Sequence, residues 1–67
     1  MEEIDVRVIG FANGAYVLRA QINGGRVDIH HRPRDRREAS LLELGLREER
    51  PMVLEIGGMP AARVRDK

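Results

Sequence analysis

Polar and apolar residues alternate along most of this chain, and the alternation changes period once. Ile4, Val6 and Val8, then Tyr16, Leu18, Ala20 and Ile22, then Val27 and Ile29, each recur at every second position. Met52, Leu54 and Ile56 repeat the pattern near the C-terminus, followed by Ala62 and Val64. A period of two puts one set of side chains on one face of a strand, so these stretches are predicted as half-buried strands. Between them, Ala39, Leu41, Leu42 and Leu44 recur at helical spacing. The predicted architecture is α+β, in the order β-β-β-α-β-β. It is a two-layer domain, with one helix on one face of a five-stranded, mostly antiparallel sheet.

Turn chemistry fixes the registers. Asn23-Gly24 is a type I′ signal, and a two-residue loop there pairs Ile22 with Gly25, Ala20 with Val27, Leu18 with Ile29 and Tyr16 with His31. The other face then matches Arg19 with Asp28 and Val17 with His30. The same two-residue reading of Asn13-Gly14 would set Leu18 beside Ile9 and Ala20 beside Arg7, mixing the faces. A three-residue loop, Ala12-Asn13-Gly14, pairs Leu18 with Val8, Ala20 with Val6 and Ile22 with Ile4, and is the reading adopted. In the last hairpin a loop at Gly57-Gly58-Met59 matches Leu54 with Ala62 and Met52 with Val64. Arg63 and Arg65 then lie on the opposite face, and Pro60 suits a strand start or an edge.

For the helix, Asp35 and Glu38 form a D-x-x-E capping box, placing the start near Arg36. Gly45 is read as the left-handed residue just past its end, with Leu46 folding back on Leu41. Arg47 to Pro51 then forms a charged turn.

Sixty-seven residues make one domain, 1–67, whose core is marginal at this size. There is no cysteine, so neither disulfides nor a thiolate metal site strengthens it. The N-terminus is acidic and no long apolar run follows, so neither a signal peptide nor a membrane span is expected, and the cytoplasm is the expected compartment. Formal net charge is +1, yet residues 30–37 carry four arginines against Asp35, so the rest of the chain sums to −2. Any anion site is therefore local. Arginine outnumbers lysine eleven to one, a bias that a GC-rich or thermophilic genome also produces.

Catalytic chemistry finds little to work with. His30 and His31 point to opposite faces of a strand and cannot chelate one ion together. The single serine, Ser40, falls on the helix, the glycine pairs read as turns, and Glu48-Glu49 belongs to the charged turn. No enzyme activity, metal, cofactor or small-molecule substrate is expected.

Two surfaces carry binding expectations. Arg32, Arg34, Arg36 and Arg37 surround a helix N-terminus, where each exposed cation costs roughly 0.3–1 kcal/mol against the macrodipole. Arg34 has Glu38 in reach four residues on. The others either stand in water or meet an anion, and with Arg63 and Arg65 they would form a DNA or RNA backbone site. Stacking rings are scarce, since Phe11 and Tyr16 are the only aromatics. The second surface is Ile9, Phe11 and Val17, read as an apolar cluster on the sheet face opposite the helix, where Arg7 and Arg19 also fall opposite one another. The reading adopted is a non-catalytic interaction domain that forms a homodimer through this face or a strand edge, with nucleic-acid binding as the alternative.

The run Leu44-Gly45-Leu46-Arg47-Glu48-Glu49, followed by Val53-Leu54-Glu55-Ile56 and a glycine turn, resembles the C-terminal half of the swapped-hairpin, AbrB-like transition regulators and antitoxins. Gly25-Arg26-Val27 and Pro33 echo its earlier part. The resemblance implies a DNA-binding dimer and covers about half the chain. It departs in the interval from Pro33 to Leu44-Gly45, longer by about one helical turn. Glu49-Arg50 also stands where Gly-Asp is usual, and the N-terminal strand is extra.

Overall fold

The computed structural model describes residues 2–65. Strands β1 (Glu2–Ala12), β2 (Ala15–Ile22), β3 (Gly25–His31), β4 (Pro51–Ile56) and β5 (Ala61–Val64) form one antiparallel sheet in the order β3-β2-β1-β4-β5. Helix α1 (Arg36–Glu48) packs on one face. The α+β class and element order are those expected from the hydrophobic periods. Val6, Val8, Tyr16, Leu18 and Ala20 from the central strands meet Leu42 of the helix and Met52, Leu54 and Ala62 of the last hairpin. All the pairs expected for β2 with β3 and for β4 with β5 are present.

The first hairpin corrects one expectation. Its turn has two residues, Asn13 and Gly14, with φ of 54° and 78°, and the Asn23-Gly24 turn matches it at 52° and 80°. Val6 still pairs with Ala20 and Val8 with Leu18, yet Ala12 pairs with Ala15. The spare residue is absorbed inside β1, where the register shifts between Val8 and Gly10 and leaves Ile9 unpaired. A bulge lets Asn-Gly keep the turn that its φ preference favours while the apolar side chains stay on the core face.

Gly45 is the second correction. The helix runs on to Glu48, and the left-handed cap is Glu49, at φ 54°, whose amide donates to the Gly45 carbonyl. Gly45 is needed for its missing side chain: a Cβ there would collide with Met52 Sδ and come within 3.3 Å of Val8 Cγ2. The glycine marks a close approach of helix and sheet.

At the other end Asp35 caps as expected, its Oδ1 accepting from the Glu38 amide at 2.9 Å. Glu38 does not complete the reciprocal box. Its Oε1 accepts from the Arg34 amide at 2.7 Å and faces His31 Nε2 at 3.0 Å, and its Oε2 accepts from the Ala62 amide at 2.6 Å. An ionised carboxylate only accepts, so His31 Nε2 carries the hydrogen. His31 lies on β3 and Ala62 on β5, the two outermost strands. In a flat sheet those strands would stand about 19 Å apart, four spacings of about 4.8 Å. One carboxylate can reach both only because the sheet coils strongly around the helix. Tyr16 pairs with His31 across the strands as expected, and its hydroxyl donates to Glu43 Oε1 at 2.9 Å. Burial, and then that carboxylate, raise its phenol pKa.

Candidate nucleic-acid interface

The structure disperses the six arginines expected to act together. Arg34 lies 3.8 Å from Glu38 Oε2. Arg32 reaches back over the first hairpin, where a Cβ on Gly14 would come within 2.8 Å of its Nη1. Arg36 stands on an exposed helix ridge with Ser40, Glu43 and Arg47, and Arg37 is exposed beside it. Arg63 and Arg65 lie at the other outer strand, on the sheet face opposite the core cluster.

That outer face has two halves. Over β4, β5 and the start of β1, opposite charges interlock: Arg63 donates to Glu3 at 2.8 Å and to Glu55 at 3.4 Å, and Arg65 pairs with Asp5. Glu3 and then Glu55 raise the Arg63 pKa. Val53 points to this face, between Asp5 and Arg63 in the register, and is only 1% exposed. Arg63 and Arg65 therefore already have partners.

The other half lies over β1, β2 and β3. Arg7 and Arg19 are direct cross-strand partners, and Arg26 is paired with Gln21 one step along the same face. With Arg65, Asp5 and Ile9 they line a groove of about 670 Å³. Like charges directly opposite are unfavourable in a sheet. Arg19 has a partial remedy in Asp28, bound at 3.0 and 3.4 Å, which raises the Arg19 pKa and is itself held below the usual carboxylate range by that guanidinium. Among the described residues Arg7 donates only to the Glu49 carbonyl, at 3.1 Å, and no carboxylate pairs with Arg7 or Arg26.

The bulge that corrects the hairpin also redistributes the expected apolar cluster. Phe11 pairs with Tyr16, their ring centroids 4.6 Å apart, so it lies on the helix side of the sheet. Val17 remains on the outer face and is half-buried, while Ile9 is 41% exposed at the bulge. The three side chains do not form one patch.

Sequence reasoning missed Arg7, Arg19 and Arg26 as a cationic group. The register that placed Arg7 opposite Arg19 was available, but their separation along the chain hid the cluster behind the denser run at 32–37. Among the described residues no three His, Cys, Asp or Glu side chains are grouped to hold a metal ion, and no helix is long and apolar enough to cross a membrane. Comparison with family models, with curated proteins and with solved structures found no match.

Proposed function

We propose that the domain is a non-catalytic module that binds the sugar–phosphate backbone of a nucleic acid across the outer face of β1, β2 and β3. The observation that carries this reading is the Arg7–Arg19 pair. Two guanidinium groups on facing positions, with Arg26 beside them, concentrate positive charge at the groove, and Asp28 relieves it only in part. A phosphate between the forks replaces repulsion by two charge-assisted, bidentate contacts. Arg65, in the same row across β4 but already paired with Asp5, borders the groove.

The chain's connectivity supports the reading. A three-stranded meander, a helix and a returning hairpin whose first strand pairs with β1 follow the path of the five-stranded, partly open barrel called the OB-fold, with β3 and β5 linked here through Glu38 rather than by a ladder. In that architecture the face of the second and third strands takes oligonucleotides, although a fold alone assigns no activity. Exposed rings are scarce on this face, so contact is to phosphates and carries little base preference.

Fluorescence anisotropy of labelled single-stranded and duplex oligonucleotides over a salt series tests the proposal. Three phosphate contacts give a log–log salt slope of about −2 for a single strand. Arg7→Gln and Arg26→Gln are each expected to flatten that slope and weaken binding several-fold. No binding at low salt, or binding indifferent to both substitutions, overturns the reading.

A further inference from the structure

The coiled sheet has two outer strands, and they are not equally open. On β5, the outward amide of Ala62 is already taken by Glu38, the strand has four residues, and Pro60 precedes it. On β3 the ladder to β2 occupies one side, and residues 25–28 and His30 are exposed. No proline or bulge interrupts it between Gly25 and His31, the devices that usually protect a free edge.

We propose that this edge pairs with the same edge of a second copy of the chain, antiparallel about a two-fold axis at Val27. The edge is self-complementary. With Val27 opposite its own copy, each Arg26 faces the other copy's Asp28, so the contact contains two opposite-charge pairs on the outer face. On the inner face Val27, 42% exposed, meets its symmetry mate, and Ile29 falls opposite Gly25, which has no side chain to obstruct it. The neighbouring symmetric registers are worse: one sets Asp28 against Asp28, the other Arg26 against Arg26. Arg26 has no carboxylate partner among the described residues, and Asp28, although bound to Arg19, keeps acceptor capacity. Pairing would join two sheets edge to edge and bring the two outer-face arginine groups onto one continuous surface.

The test is a charge exchange read by light scattering on a sizing column, without nucleic acid, so that it stands apart from the backbone-binding reading. The wild-type chain, 7.6 kDa, is expected at twice that mass at micromolar concentration. Arg26→Glu alone sets two acids together at each pair, Asp28→Lys alone sets two cations together, and each variant is expected as a monomer. Circular dichroism checks that both stay folded, as exposed side chains allow. An equimolar mixture restores opposite charges at both pairs, so it should run as a heterodimer. A monomeric wild type, a dimer that ignores either substitution, or a mixture that stays monomeric overturns the proposal.

Discussion

The joint before the helix and the outer face of the sheet hold arginines in opposite ways. At the joint, four fall within six consecutive residues and then part company, one over a glycine turn, one beside Glu38 and two on the helix surface. On the outer face, Arg7, Arg19, Arg26 and Arg65 are distant in sequence and line one groove. A helix start fans its side chains around an axis, whereas a sheet stacks the same face of several strands about 4.8 Å apart. Density along a chain is a poor guide to density in space. At the joint the structurally important charge is an acid, Glu38, buried at 3% exposure with its oxygens fully engaged.

The largest effect of any single substitution is expected at that acid. Glu38→Ala would strand the Ala62 and Arg34 amides and His31 in a dry site, and removing one member of a buried charged network costs about 3–5 kcal/mol. For a domain this small that is a large part of its stability. Thermal melts should show a non-cooperative or strongly lowered transition, and a melt within a few degrees of wild type would contradict the keystone role.

Gly45→Ala comes next. Alanine raises helix propensity by about 1 kcal/mol, but the new methyl enters the space of Met52 and Val8, and overpacking of this kind costs about 1–3 kcal/mol. A net loss is expected in urea titration, and the loss caused by Gly45→Ala should be smaller when measured in a Met52→Ala background. Stabilisation by Gly45→Ala alone would mean that the close approach is not binding.

Acid separates the two regions further. Burial pushes the Glu38 carboxyl up, but the amides of Ala62 and Arg34, together with His31, outweigh it and leave the pKa lowered. The unfolded value is near 4.3. A depressed folded pKa means that the stability from Glu38 is fully present above about 4.3 and is lost as pH falls through the lower folded value. Asp28, lowered by Arg19, adds to the same acid limb from the exposed side. Glu38→Gln should flatten the limb more than Asp28→Asn. Equal slopes in all three proteins would remove the distinction.

The smallest effect is expected at the joint's free cations. Replacing Arg36 and Arg37 by alanine relieves repulsion from the helix dipole and should stabilise by a few tenths of a kcal/mol each, at most about 1. Oligonucleotide binding should be unchanged in the same variants. A several-fold loss would move the functional charge back from the sheet to the joint.

The sequence by itself determined the element order and nearly every register, because period-two alternation and Asn-Gly turns are local signals that one burial pattern satisfies. Asp35 as helix cap and the Arg19–Asp28 pair were legible for the same reason. Only the tertiary structure decided that the odd residue of the first hairpin sits at Ile9 as a bulge, since turn and strand can each absorb it and the choice depends on the packing of both. That choice turned Phe11 to the helix side and broke up the expected apolar patch. Gly45 read equally well as a cap or as a contact point until the helix met Met52. The reach of Glu38 from β3 to β5 depends on sheet coiling, a property of all five strands that no single stretch of sequence records.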